Sequence, residues 1–201
     1  MIELAKNGEF WIVTLNRPDK ANSLTSGMLE QLIQIAQDAH GSAKVIVLTG
    51  AGKVFSAGAD LEEARAGLAT SPLWEDLSGT IASLPCLTIA ALNGTLAGGA
   101  FGMALACDLR ISVETAKFFY PVMKLGFLPQ PSDPGRLAAL VGPSRAKMIL
   151  MGGQKVSSSE ALAWGLIDRI VPNVIEAAQE LASDALAAKS DHIANIKMML
   201  S

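Results

Sequence analysis

One stretch, from Leu87 to Asp108, limits what this chain can become more than any other. Leu87 to Leu92 is apolar and β-prone, Asn93-Gly94 is a turn, and a segment of small residues follows that reads as a buried helix. The Gly98-Gly99 pair at its start lets a ligand approach the backbone, because no Cβ stands in the way. The first N–H groups of a helix lack internal partners and lie at the positive end of its dipole. The Gly99 N–H is therefore a candidate donor to an oxygen that gains negative charge during a reaction. It would form half of an oxyanion hole.

Around that stretch, strands and helices alternate. Phe10 to Leu15 is a short strand after a turn at Asn7-Gly8, and Asn16 to Lys20 is a loop. Met28, Leu29, Leu32, Ile33, Ile35 and Ala36 recur at helical spacing, ending near Gly41. Lys44 to Thr49 holds the continuous apolar run of a strand covered on both faces, and Gly50 to Asp60 reads as a glycine-rich loop. Leu73, Trp74, Leu77, Ile81 and Leu84 form one helical stripe that stops before Pro85. Leu109 to Val113 and Lys117 to Phe119 are short strands, and the pattern after Gly126 is mostly helical.

Asp133-Pro134 has the form of an N-cap followed by proline at the first helical position. Ser157 to Glu160 has capping-box spacing, with Gly165 placed to end that helix. Ile167 to Val171 adds a strand, Val174 to Ala188 a surface helix, and Asp191 to Leu200 a last short helix. The order predicts an α/β domain with a largely parallel sheet, one domain over residues 1–201 with a helical segment from about 173.

Composition narrows the function. A net charge of −3 without a basic block argues against nucleic acid or an anionic membrane surface as partner. No apolar run reaches spanning length, and Met1-Ile2-Glu3-Leu4 shows no secretory signal. Cys86 and Cys107 sit in apolar surroundings, which suits two buried thiols and a cytoplasmic location. With His40 and His192 as the sole histidines, a histidine-built metal site is not expected. His40 suits a helix end and His192 a surface turn.

A second glycine-bearing bend, Phe55-Ser56-Ala57-Gly58-Ala59-Asp60-Leu61, follows the strand at Val45 to Thr49. Together with Asn16 to Asn22, Leu48 to Gly52, Ala91 to Gly94 with Gly98-Gly99, and Ala161 to Asp168, this pair of bends resembles the crotonase (enoyl-CoA hydratase/isomerase) superfamily over roughly residues 2–172. The resemblance implies a spiral of β-β-α turns forming two steeply angled sheets, with a helical C-terminal part. It implies an acyl-CoA thioester as substrate, with coenzyme A entering as part of the thioester and no permanently bound cofactor. Assembly as a homotrimer or hexamer and a place in fatty acid metabolism also follow from it. By position, the N–H groups of Ala59 and Gly99 would form the oxyanion hole. Lys20 and Ala21 would meet the phosphate and adenine side of CoA, while Ala57, Asp60 and Leu61 would flank the adenine.

The acid positions break the pattern. Hydratases of the family carry glutamates at positions that are Gly102 and Val122 here, and isomerases or dehalogenases place a carboxylate at what is Gln130. Each such group contributes about two to four powers of ten, so double-bond hydration is not expected. Asp133 is a candidate base, although its local pattern favours a cap. Tyr120 is a candidate acid against the blander reading of a packed ring with a wet hydroxyl. Glu62 and Glu63 suit a helix dipole better than an acyl channel, and Ser132 has no histidine to activate it.

An isomerase, decarboxylase or hydrolase remains, with a catalytically inactive thioester-binding homologue as the alternative. A dinucleotide site at Gly50-Ala51-Gly52 lacks its third glycine, and a Clp-type protease lacks its serine near Gly99. The chain stops at Ser201, where family members commonly continue into helices that complete the trimer and cover the acyl pocket. The resemblance therefore implies either a more open acyl end or a pocket closed in a different way.

Overall fold

The computed structural model describes residues 1–200. Strands β1 (Ile2–Asn7) and β2 (Phe10–Leu15) form an antiparallel hairpin around Gly8, which supplies the positive φ of the turn (+61°). Helix α1 (Ser26–Ala39) starts where the Thr25 hydroxyl accepts the Met28 N–H at 3.3 Å, and buries Met28, Leu29, Leu32, Ile35, Ala36 and Ala39 along one stripe. His40 is the cap residue at its end, as its position predicted.

The chain then makes three similar turns. The first runs through β3 (Val45–Gly50), β4 (Val54–Ser56), α2 (Leu61–Arg65) and α3 (Leu73–Ala82). The second comprises β5 (Leu87–Leu92), β6 (Thr95–Ala97), a 3-10 turn at Gly98–Ala100 and α4 (Phe101–Ala106). The third comprises β7 (Leu109–Ser112), β8 (Lys117–Phe119) and α5 (Val122–Leu125). Each turn gives its first strand to one sheet and its second to another. Helices α6 (Asp133–Val141) and α7 (Pro143–Leu150) follow. Next come β9 (Val156–Ser157), α8 (Ser158–Trp164) and β10 (Arg169–Ile170). Helices α9 (Val174–Ala187) and α10 (Ser190–Met199) complete the described residues.

The larger sheet has the order β1-β2-β3-β5-β7-β10 and the smaller β4-β6-β8-β9. All pairs are parallel except β1 with β2 and β8 with β9. This is the β-β-α spiral implied by the resemblance.

Two stretches read differently from their local pattern. Gly50 to Asp60 is not loop throughout, since β4 lies inside it, and β6 precedes the helix at Gly98. Both are three-residue strands. Neither has a periodicity of its own; β4 forms by pairing with β6, which pairs with β8 on its other side. Their approach requires Gly94, where a Cβ would stand 2.0 Å from the Lys53 carbonyl oxygen. The Asn93 side chain pins the same crossing, accepting the Gly50 N–H at 2.9 Å and donating to the Gly52 carbonyl at 3.0 Å.

The core is divided by the larger sheet. One face meets α1, α3, α4 and the smaller sheet through Trp11, Val13, Leu29, Leu77, Phe101 and Leu137. The other carries Phe10, Val45, Val47, Ile89 and Ile111, and α9 covers it with Val174, Ala178 and Ala182. Helix α9 is thus the sheet's second cover rather than a surface helix, and small residues at i, i+4 and i+8 let it lie close. Strand β3 is covered on both faces, as its apolar run predicts. His192 lies within α10, not in a turn, on the wall of an apolar groove of about 660 Å³ between that helix and β5 and β7. Among the described residues no helix is long and apolar enough to cross a membrane.

Candidate active site

The two glycine-bearing bends meet. Gly58 has φ +93°, and a Cβ there would lie 2.9 Å from the Ala97 carbonyl and 3.3 Å from the Gly99 nitrogen. Only glycine permits both that backbone and that approach. On the far side, Leu24 holds the first bend like a strand: its N–H donates to the Gly58 carbonyl and its carbonyl accepts the Asp60 N–H, both at 2.8 Å. Extended backbone alternates direction, so the Ala59 N–H between them turns away from Leu24. Gly99 is the second residue of the 3-10 turn that opens α4, where an N–H has no partner within the helix. Neither N–H donates in the backbone bonds of loops and caps among the described residues.

Beside this meeting point lies a cavity of about 140 Å³ walled by Ala57, Ala59, Leu61, Gly98, Gly99 and Trp74 on one side. Tyr120, Val122, Phe127, Leu128 and Gln130 close the other. Leu61 stands 74% exposed at the mouth. Of the residues expected to take part, Lys20, Ala21, Asp60 and Asp133 lie outside this lining. Lys20 ends a 3-10 turn at Pro18–Lys20, and Ala21 follows in the left-handed region.

The N–H groups of Ala57 and Asp60 are already engaged, by the carbonyls of Ala21 (3.0 Å) and Leu24 (2.8 Å). The Asp60 carboxylate caps α2 and pairs with Arg17 at 2.8 Å; the guanidinium holds that carboxyl below its usual range. Glu63 accepts the Ser26 N–H at 2.7 Å and does not line the cavity. Asn22, whose φ is +53°, ties this corner together by donating to the Ala51 and Val54 carbonyls at 2.9 and 2.7 Å.

The acid positions hold the largest departure from the sequence reading. Asp133 is not the N-cap of α6. Ser132 has that place, and the carboxylate serving this helix start is Glu75 of α3, which accepts the Ser132 N–H at 3.1 Å and also contacts its hydroxyl. The Ser132 hydroxyl keeps the Glu75 carboxyl below its usual range. Freed from capping, Asp133 turns inward and is 1% exposed. Its Oδ2 accepts the Tyr120 hydroxyl at 2.9 Å, and its Oδ1 has no partner.

What makes room for it is Gly102. A Cβ at that position would stand 2.9 Å from Asp133 Oδ1 and 3.4 Å from Oδ2. Burial pushes the Asp133 carboxyl up to about 6, against the opposing pull of the Tyr120 hydrogen bond and of Arg136. Burial, with Asp133 alongside, pushes the Tyr120 phenol well above its usual range. Tyr120 is stacked on Phe101, with ring centroids 5.4 Å apart. Its hydroxyl is thus internal, not wet.

Trp74 was legible only as part of a helical stripe. In the fold its ring lies over Gly99, 3.2 Å from where a Cβ would be, and its indole N–H donates to the Leu68 carbonyl at 2.8 Å. Nothing in the local sequence marks Trp74, Phe101 or Glu75 as neighbours of the site. Among the described residues no cluster of His, Cys, Asp or Glu could hold a metal ion.

The sequence matches the enoyl-CoA hydratase/isomerase family model over residues 6–201. The chain belongs to that family. Among relatives, the Bacillus subtilis protein YngF is 36% identical over 189 residues, spanning 89% of this chain and 72% of YngF. The crystal structure of an enoyl-CoA hydratase from Bacillus anthracis superposes with a TM-score of 0.91 at 32% identity, over 99% of this chain and 81% of that one. A Thermobifida fusca protein solved in complex with CoA gives a TM-score of 0.88 at 26% identity, over 99% and 83% of the two chains. The crotonase fold is therefore established. Within it, this family member keeps both glycine-bearing bends and has glycine and valine at positions 102 and 122.

Proposed function

We propose that this enoyl-CoA hydratase/isomerase family member binds an acyl-CoA thioester in the cavity beside Gly99. In this reading the N–H groups of Ala59 and Gly99 stabilise the negative charge that forms on the thioester oxygen. The contact of the two bends at Gly58 and Gly99 carries the reading, because it brings two uncommitted amides to one wall. Preorganised donors in a water-poor site contribute on the order of 3 kcal/mol each to such a step. Lys20 and Ala21 would meet the phosphate and adenine side of CoA, with Ala57, Asp60 and Leu61 nearer the adenine. The CoA complex of the Thermobifida fusca relative supports a ligand that carries CoA.

The reaction we assign is one that places negative charge on the thioester oxygen without hydrating a double bond: an enolate in an isomerase or decarboxylase, a tetrahedral adduct in a hydrolase. Hydration asks for two carboxylates on the reacting water, and Gly102 and Val122 supply none. A protein that merely holds the thioester has no need of a titratable pair beside its cavity, and here Tyr120 lines the cavity and donates to Asp133 behind it. Incubation with enoyl-, malonyl-type and hydroxyacyl-CoA thioesters, followed by mass spectrometry, tests this. Conversion of at least one thioester is expected. Tight binding without conversion across the panel would overturn the enzymatic reading, and absence of binding would overturn the thioester reading.

A further inference from the structure

We propose that Tyr120 and Asp133 are the proton-handling pair of this pocket, Tyr120 touching the substrate and Asp133 positioned behind it as the carboxylate that takes up the phenol's proton. The inference rests on the thioester reading above and adds the residues that move the proton.

Three observations meet in it. Gly102 stands where a side chain would need the space that the Asp133 carboxylate fills, since a Cβ would lie 2.9 Å from Oδ1. A side chain at position 102 and this placement of Asp133 exclude one another. The structure thus keeps one carboxylate beside α4 but roots it on α6. Next, Asp133 Oδ1 is buried without any partner, an arrangement that costs stability and needs a reason. Its Oδ2 has a partner, the Tyr120 hydroxyl at 2.9 Å. Finally, Tyr120 lines the cavity that Ala59 and Gly99 line, and its ring is held by Phe101.

The groups that face the carboxylate are Tyr120, Glu75 from α3 and Arg136 from α6 itself; α4 presents Gly102 and no charge. Glu75 is occupied by Ser132, and Arg136 donates to the Ser78 hydroxyl at 2.9 Å. Tyr120 is therefore the route between Asp133 and the cavity.

The step balances without a further reactant. The bond between the thioester α-carbon and its hydrogen breaks, and its electron pair moves to the carbonyl oxygen facing the Ala59 and Gly99 N–H groups. Tyr120 Oη takes the carbon-bound proton while its own proton passes to Asp133 Oδ2. The reverse step returns a proton from Tyr120 to a carbon of the enolate and leaves Asp133 ionised. A carboxyl poised near pH 6 can serve in both directions.

The test uses butyryl-CoA in D2O, following exchange of its α-hydrogens by NMR, with binding measured separately by calorimetry. The intact protein should bind the probe and exchange its α-hydrogens, at a rate that rises with pH through an apparent value near 6. Tyr120→Phe and Asp133→Asn preserve the shape of each side chain and should bind the probe normally. Exchange should fall at least about a hundredfold in each, and in Asp133→Asn the pH dependence should vanish. Exchange at the original rate in either variant, or none in the intact protein despite binding, overturns this inference and leaves the thioester reading standing. Failure of the intact protein to bind overturns both.

Discussion

Burial of Asp133 makes a stability prediction that needs no substrate. The folded carboxyl titrates near 6 against an ordinary value of 3.8. That difference of about 2 pH units corresponds to about 3 kcal/mol. The folded state holds this proton more tightly than the unfolded chain, so the contribution of Asp133 to stability is most favourable below about pH 4. Between about pH 4 and 6 the unfolded chain ionises first and stability falls, after which the cost is constant. Asp133→Asn removes the titration while retaining an acceptor for the Tyr120 hydroxyl. Urea denaturation from pH 4 to 8 should give two curves that diverge, the variant gaining about 3 kcal/mol on the original protein by pH 7. Curves that stay parallel would mean that Asp133 is not the strained, proton-seeking carboxyl described, and the argument from its orphaned oxygen would fail.

Three further outcomes follow from the same geometry. Gly58→Ala forces a side chain onto a backbone with φ +93° and toward the Ala97 carbonyl. The left-handed conformation alone costs about 1–2 kcal/mol, so melting temperature should drop and thioester binding weaken together. Gly102→Ala drives a methyl group against Asp133 Oδ1, and such overpacking should cost about 1–3 kcal/mol in denaturation experiments. Burial raises the Cys86 and Cys107 thiols to about 11 and about 12, so a thiol reagent at pH 8 should label neither until the protein is unfolded.

Much of the frame could be read from the chain. The apolar runs at Val45 and Leu87 declared buried strands, and the glycine pair marked backbone that lines a cavity. The smaller sheet could not be read whole, because β4 and β6 are too short to carry a period and form by pairing with distant strands. Helix α9 looked external because beyond Val174 its buried stripe is alanine, which proclaims little hydrophobicity but permits close contact.

Asp133 shows the limit most clearly. Ser132-Asp133-Pro134 fits a cap by every local rule, yet Glu75 from another helix serves that helix start. Gly102, distant in sequence, then opens the space into which Asp133 turns. Tyr120 was legible as a candidate but not as a partner, since its hydroxyl's acceptor belongs to α6. A residue's role here depends on which neighbour has already met the local need.

Two amides sharing one oxygen would register directly in the carbonyl stretch of a bound thioester. Infrared difference spectra of an acyl-CoA carrying a ¹³C-labelled carbonyl should show the band shifted to lower frequency on binding, because two N–H donors draw charge onto the oxygen. The shift should shrink in Gly99→Pro, which lacks one donor. A bound thioester whose carbonyl band stays at its solution frequency would contradict the convergence of Ala59 and Gly99 on that oxygen.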